Sequence, residues 1–181
     1  MTRPRTVTDD DLLDRIDRAL SNRSTAGPWT LHEVAPAAGI SPAGLIKRFG
    51  SKADLLHALA RRWTDLVPSA PSGSRPADEL RAYVSAEFGA PSAGAAIFAL
   101  DELLTDLRTP ESIALLREGW DKQTRYLEQL LTAMPLPRLA DPRRGALLLL
   151  DALHGSLYRQ GIDLDAAPPT DTLDQLLEAW T

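Results

Sequence analysis

The chain of 181 residues contains no cysteine, only three histidines and few aromatic residues, 6% of the total. Without thiols it can form neither disulfides nor the thiolate sites that hold zinc or iron–sulfur clusters. No apolar run approaches the roughly 18 residues that span a bilayer, and the first residues, MTRPRTVTDDD, lack the apolar stretch of a secretory signal. We therefore expect a cytoplasmic, globular protein.

Signatures of catalysis are also missing. His32, His57 and His154 lie on separate predicted helices, and none has a second ligand three or four residues away, as in H-E-x-x-H. The sequence has no G-x-S-x-G motif, no P-loop and no dinucleotide-binding glycine motif. We expect no enzyme, no cofactor and no metal, and we interpret the histidines as surface or interface residues.

Charge is divided unevenly along the chain. The net charge is −5, but residues 1–62 hold ten Lys/Arg against seven Asp/Glu, which gives +3 and leaves −8 for the remainder. A basic N-terminal part and an acidic remainder indicate two tasks, with any polyanion contacted only at the N-terminal part.

Apolar residues recur at helical spacing almost everywhere, and no stretch alternates as a strand does. We therefore predict an all-α protein of about nine helices. The first helix begins at Thr8, where Asp11 completes a capping box, and the second begins at Thr30, where Glu33 does the same. Pro36 lies inside the second helix, which we expect to be bent or partly irregular because proline removes a hydrogen bond.

A tight turn separates the second and third helices. Gly39 suits the left-handed position that ends a helix, and Ser41 and Pro42 suit the start of the next one. The third helix runs to about Phe49, and Ser51 then caps a fourth helix that runs through Trp63 and Val67.

The segment PSAPSGSRP, residues 68–76, has the composition of a linker. We therefore divide the chain into a head, residues 1–67, and a body, residues 68–181. Prolines separate the predicted body helices, which we place near 77–89, 93–108, 110–133, 142–161 and 170–180.

The head has the plan of a helix-turn-helix, in which the second helix of the pair enters the major groove of DNA. The candidate DNA-binding residues are the helix starts Thr30 and Ser41, the small residues Pro42, Ala43 and Gly44, the cations Lys47 and Arg48, and Arg3 and Arg5 on an arm suited to the minor groove. Alternatively, Gly39 and Pro42 only terminate and start helices, and the cations are solvated.

Residues 12–56 resemble the N-terminal domain of the TetR family of bacterial transcriptional regulators. The matching residues are Gly27, Thr30, Val34-Ala35, Ala38-Gly39-Ile40-Ser41, Leu45, Phe49, Ser51-Lys52 and Leu55-Leu56. The resemblance implies that Thr30 and Lys52 hold phosphates, that the helix from Pro42 to Arg48 reads bases, and that the protein is a homodimer with an effector pocket in its C-terminal helices. The chain departs from the family at Ile46, where a phosphate-contacting tyrosine is usual.

Four successive leucines, 147–150, cover every side of one body helix, so we expect that helix to be buried all round. Together with the last helix it can form a two-fold, four-helix contact with a second copy. The predicted interface residues are Leu149, Leu153, Ser156, Leu157, Leu173, Leu176, Leu177 and Trp180. Burial of both helices wholly inside one chain is the alternative.

Bulky side chains on the middle helices are candidates for the walls of a ligand pocket between helices. These candidates are Phe88, Phe98, Glu102, Trp120 and Tyr126. Glu87, Asp101 and Glu102 form a group of carboxylates, although a solvated helix face also accounts for them. We predict a homodimeric repressor that a small, largely apolar effector releases from a palindromic operator. The alternative is a helical ligand-binding or interaction module with a degenerate DNA-binding head.

Overall fold

A computed structural model describes residues 7–23, 27–73, 75–90, 92–163 and 165–181, which form nine α-helices and no strand. The helices are α1 Asp9–Ser21, α2 Leu31–Ala38, α3 Pro42–Phe49, α4 Lys52–Leu66, α5 Pro76–Phe88, α6 Ala93–Asp106, α7 Pro110–Thr132, α8 Pro142–Ile162 and α9 Pro169–Trp180. The prediction of an all-α chain is confirmed. None of these helices is long and apolar enough to cross a membrane.

Capping side chains begin the head helices at the residues expected from the sequence. Thr8 Oγ1 accepts a hydrogen bond from the Asp11 amide at 3.1 Å, and the Asp11 carboxylate accepts one from the Thr8 amide at 3.3 Å. The hydroxyls of Ser41 and Ser51 accept bonds from the amides three residues later, each at 3.1 Å. Local side-chain chemistry therefore sets where the head helices start.

The turn between α2 and α3 is made by a glycine in the left-handed conformation. Gly39 has a φ of +72°, and its amide donates to the carbonyls of Ala35 and Pro36 at 3.0 and 3.2 Å. Helix α2 continues unbroken to Ala38, so the prediction that Pro36 makes it partly irregular is wrong, and the alternative of a bend stays a prediction. Pro36 lies in the last turn of α2, where its ring removes only the hydrogen bond to the carbonyl of His32.

Helix α4 connects the head helices to the body helices. On its head side, the Arg62 guanidinium lies 3.2 Å from the Asp14 carboxylate of α1. On its body side, the Arg61 guanidinium lies 2.8 Å from the Glu118 carboxylate of α7. A displacement of α4 therefore changes contacts with α1 and α7 together.

The head has its own hydrophobic cluster, to which one body residue contributes. Its most buried members include Leu12, Ile16, Val34, Leu45 and Leu55 from α1 to α4, each no more than 2% exposed. Phe98, on α6, is 7% exposed and belongs to the same cluster. The head core is therefore continuous with α6.

A second cluster lies among α5, α7, α8 and α9 and corrects our predicted dimer interface. Leu149, Leu153 and Leu173 are 0% exposed, Ser156 is 3% exposed and Trp180 is 9% exposed. These five side chains pack inside their own chain, so they are not available to a second copy. The alternative of burial within one chain is correct for them, because α5 and α7 cover this face of α8 and α9.

The other predicted interface residues, Leu157, Leu176 and Leu177, are half-buried. The exposed apolar residues of α8 are different ones: Leu147 is 47% exposed, Leu148 51% and Ile162 89%. The outward face of α8 thus carries leucines and an isoleucine that we did not select from the sequence.

Candidate nucleic-acid interface and ligand cavity

Helix α3 presents mostly exposed side chains on the outside of the head. Leu45 anchors it in the head core at 1% exposure, while Ala43, Ile46 and Lys47 are exposed and Pro42 and Gly44 are half-buried. Lys47 has no ion pair or hydrogen bond with any residue that the structure describes. The middle of α3 therefore presents an ammonium group and an apolar side chain next to each other.

The starts of α2 and α4 lie against each other through one lysine. The Lys52 ammonium lies 4.2 Å from the centre of the Trp29 ring and donates to the Trp29 carbonyl. Trp29 directly precedes Thr30, the exposed N-cap of α2, so the structure brings Thr30 and Lys52 together. An ammonium has three N–H donors, and the bond to Trp29 uses one of them.

Arg48, at the C-terminal end of α3, faces the start of α1. Its guanidinium donates to the Asp9 carboxylate and, at 2.7 Å, to the Val7 carbonyl. These bonds fix the chain immediately before α1 to the back of α3. The other predicted cations of this region, Arg3 and Arg5, lie outside the described residues.

A cavity of about 410 Å³ separates the head helices from the body helices. Helices α1 and α4 form one wall with Asp17, Leu59 and Trp63, and α5 to α8 form the others. This volume is within the range of roughly 300–1,000 Å³ that is typical of small-molecule sites. Any occupant of the cavity therefore touches head and body at once.

Four of the five ligand-pocket residues that we selected from the sequence line this cavity: Phe88, Phe98, Glu102 and Trp120. Tyr126 does not line it, and this prediction is corrected. Its ring packs edge-on against Tyr83 with centroids 5.0 Å apart, and its hydroxyl donates to Glu79 at 2.8 Å. Tyr126 is therefore part of the body core.

Sequence reasoning missed several polar residues of the cavity. Asp17 and Gln123 are not among the predicted pocket residues, Glu87 is predicted only within a group of carboxylates that a solvated helix face also explains, and His154 is predicted at the surface or an interface. The sequence does contain a signal for these residues. Each of them lies three or four positions from apolar residues of the same helix, so that it interrupts the apolar stripe. Asp17 falls between Leu13 and Leu20 in this way.

The protein surroundings shift the pKa values of the ionisable groups in the cavity. Enclosure raises the pKa of Asp17, and the nearby Arg62 charge opposes this shift. Enclosure also raises the pKa of Glu87, the hydrogen bond from Trp63 lowers it, and the Asp17 charge raises it further. Both residues are nevertheless exposed, so solvent screens part of these effects.

His154 is held between two aromatic rings of the cavity wall. Its ring lies edge-on to Phe88 and Trp120, with centroid separations of 5.2 and 5.3 Å, and Nδ1 lies 2.9 Å from the Leu150 carbonyl. Burial lowers the pKa of His154 below 6.5, so the imidazole is neutral at pH 7. The prediction of a surface or interface histidine is wrong here, because α8 turns this residue inward.

Gln123 is the most enclosed polar residue of the cavity wall, at 2% exposure. Its Nε2 donates to the Tyr83 hydroxyl at 3.0 Å, while its Oε1 has no donor among the residues that the structure describes. The Gln123 amide oxygen is therefore a buried acceptor in the cavity wall without a donor among the described residues.

Comparisons with known proteins agree with this geometry. Residues 27–59 match the model of the family described as bacterial regulatory proteins, tetR family. The fold is similar to the crystal structure of a transcriptional regulator from Rhodococcus sp. Rha1, with a TM-score of 0.67, 19% sequence identity, and 96% of each chain covered. A search of curated protein sequences found no match. The matched residues comprise α2, α3 and the first half of α4, so this segment is similar to the helix-turn-helix of the tetR family of regulatory proteins.

Proposed function

We propose that the chain is a homodimeric repressor that a small effector, bound in the cavity, releases from a palindromic operator. The observation that carries this proposal is that α1 and α4 of the head form one wall of the cavity. A ligand can shift an equilibrium only through contacts that differ between two states. Because the occupant touches the helices that hold α3 in place, its binding can select a head position that no longer fits DNA.

For DNA recognition, we assign base contacts to the exposed face of α3. Lys47 supplies an N–H donor suited to guanine, and Ile46, 41% exposed, supplies an apolar surface suited to the thymine methyl group. Ala43 and Gly44, near the start of α3, allow the backbone to approach the bases. In this assignment Ile46 reads a base edge at the position where the family usually has a tyrosine.

We assign phosphate contacts to the helix starts at Thr30, Ser41 and Lys52. The bonds of Lys52 to Trp29 leave donors for a phosphate and hold the ammonium in place beforehand. Arg48 has remaining donors too, but its bonds to Asp9 and Val7 favour a positioning role at the start of α1. We retain Arg3 and Arg5 as minor-groove contacts from the sequence alone.

Trp63 connects the cavity to both parts of the chain. Its indole Nε1 donates to Glu87 of α5 at 3.2 Å. On α7, a methyl group added at Gly119 would lie 2.1 Å from the Trp63 ring, so the ring rests directly on the α7 backbone. We propose that an effector displaces Trp63 and thereby α4, the helix that joins the head, residues 1–67, to the body, residues 68–181.

For dimer formation we propose the outward face of α8. Leu147, Leu148 and Ile162 are exposed there, and a methyl group at Gly155 would meet no atom within 4 Å in the described chain. A small residue between exposed leucines on one side and an exposed isoleucine on the other allows a second helix to approach closely, as in helix bundles. We expect the Leu148→Glu variant to be monomeric by analytical ultracentrifugation, because two buried carboxylates would face each other across the two-fold axis.

Leu104→Glu, on α6, is the matched control, since Leu104 is also 51% exposed but is not on α8. A Leu148→Glu variant that stays dimeric would remove α8 from the interface.

Selection of duplexes from random DNA tests the regulator itself. The effector-free protein should enrich a palindrome whose half-sites lie about one helical turn, or a multiple of it, apart. Failure to enrich any sequence at low salt would contradict operator binding.

A further inference from the structure

The walls of the cavity between α1, α4 and α5 to α8 carry charge of one sign. Asp17, Glu87 and Glu102 contribute carboxylates from three different helices, and no Lys or Arg of the described chain lines the cavity. Among the residues that the structure describes, the other titratable groups on the wall are His154, which is neutral, and Tyr158. A ligand that enters this cavity therefore meets a negative potential.

Two of these carboxylates, Asp17 and Glu87, repel each other. The Asp17 charge disfavours ionisation of Glu87, and enclosure disfavours ionisation of both groups. The Trp63 indole reaches only the Glu87 side, and Arg62, which acts on Asp17, is not part of the cavity wall. A cation between the two carboxylates would relieve their repulsion.

The unused acceptor on Gln123 further restricts the chemical class of the ligand. Its Oε1 is enclosed and has no donor among the described residues, while its Nε2 is committed to the Tyr83 hydroxyl. An enclosed acceptor without a donor is costly, so a ligand that brings an N–H group gains binding there. This requirement favours a protonated amine over a quaternary ammonium ion.

Aromatic rings complete the cavity. Trp63, Phe88, Phe98, Trp120 and Tyr158 line it together with leucines and alanines. Ring faces attract cations, and ring edges and aliphatic groups accept an apolar body. The cavity thus combines a cation site with an apolar surface.

We propose that the cavity binds an organic cation, a protonated primary or secondary amine with an apolar ring-bearing body. The ammonium lies between Asp17 and Glu87 with one N–H directed to Gln123, and the body packs on the rings. This inference rests on the proposed function only where it makes the amine the effector; binding itself does not depend on DNA.

Matched probes that differ in charge test the proposal. We would titrate the purified full-length protein, without DNA, at neutral pH by isothermal calorimetry with benzylamine, benzyl alcohol and benzoate, and with the corresponding naphthyl compounds. The amine of each series should bind roughly tenfold or more tightly than the alcohol, and the carboxylate should show no binding. Equal or tighter binding of an alcohol or carboxylate, or no binding of either amine at millimolar concentration, would overturn the proposal.

Variants then assign the site. Asp17→Asn and Glu87→Gln should each weaken amine binding roughly tenfold and leave alcohol binding unchanged, whereas Glu111→Gln, a carboxylate of α7 that does not line the cavity, should change neither. Gln123→Leu should weaken binding of the amine but not of its trimethylammonium analogue. If Glu87→Gln does not fold, Glu102→Gln replaces it. Unchanged amine affinity in all the carboxylate variants would show that the amine binds at another site.

The same titration separates this proposal from the function on which it rests. If the amines bind but a selected operator is not released, the ligand class stands and the release mechanism fails. If the protein selects a palindrome but binds no amine, the regulator stands and the ligand class is wrong.

Discussion

The helix-turn-helix and the cavity both use polar groups carried by helices. The two sites differ in how far apart these residues are in the sequence. Thr30, Ser41 and Lys52 fall within one short segment, whereas Asp17, Glu87 and His154 come from three distant helices. The first site depends on local capping and turn chemistry, and the second depends on how helices pack. A regulator of this kind can therefore keep its DNA-binding segment while its ligand site changes.

The largest expected effects test whether the head and the body fold as one unit. Leu55→Ala in the head and Leu149→Ala in the body each remove a side chain that is 0% exposed, so each should lower the free energy of unfolding by about 2–5 kcal/mol. Because Phe98 joins α6 to the head cluster, we expect one urea-unfolding transition in both variants. Leu66→Ala, at 62% exposure, is the control and should change stability by less than about 0.5 kcal/mol.

Separate head and body transitions in Leu55→Ala would contradict that continuity.

The contact between α4 and α7 is tested next, because it joins the two regions. Gly119→Ala places a methyl group 2.1 Å from Cζ3 of Trp63, so α4 or its indole must move. We expect a loss of about 1–3 kcal/mol of stability, as for other overpacked sites, and weaker operator binding. Trp63→Leu in the same chain should restore part of the stability, which thermal unfolding would detect.

An unchanged operator affinity in Gly119→Ala would separate the α4–α7 contact from DNA binding.

A smaller effect is confined to the head. Lys52→Ala should weaken binding to all DNA sequences and reduce the slope of log affinity against log salt by about 0.9, the value for one phosphate contact. Fluorescence anisotropy with a labelled duplex at several salt concentrations measures both. Arg117→Ala, an exposed cation of the body, should leave the slope unchanged. The same slope in Lys52→Ala and the wild type would show that Lys52 does not contact a phosphate.

The smallest effect is confined to the cavity and depends on pH. Because enclosure raises the pKa of Glu87 above 4.5, the folded state holds its proton more tightly than the unfolded state. This contribution to the free energy of unfolding is present below pH 4.5 and is lost as the pH rises through the pKa of Glu87 in the folded state. Glu87→Gln should therefore reduce the decline in stability above pH 4.5, measured by urea unfolding across that range. Glu111→Gln should not, and an identical decline in Glu87→Gln would contradict the assignment.

Features that depend on neighbouring residues could be predicted from the sequence, and features that depend on contacts between distant helices could not. Thr8, Ser41 and Ser51 identified helix starts because a cap involves only a few neighbouring residues. The four leucines of α8 cover all of its sides, so sequence alone did not tell which ones the chain buries itself. The packing of α5, α7 and α9 against α8 determines which leucines are buried. Leu149 is buried by it, and Leu148 stays exposed.

The cavity was partly predictable for the same reason. Phe88 and Trp120 were selected because large rings between helices suggest a pocket, but Tyr126 looked identical in sequence and lies in the core. The feature that separates them is the neighbouring helix, which sequence does not supply. Asp17, a carboxylate inside an apolar stripe, was a better indicator of an internal polar site than ring size.

The central claim is that occupation of the cavity changes DNA binding by the head. It is tested most directly by measuring the anisotropy of a labelled, selected operator while an amine that binds the cavity is added. Saturating amine should weaken operator affinity by roughly 5- to 150-fold, the usual range of coupling between two sites. Saturation of the cavity with operator affinity unchanged would contradict it.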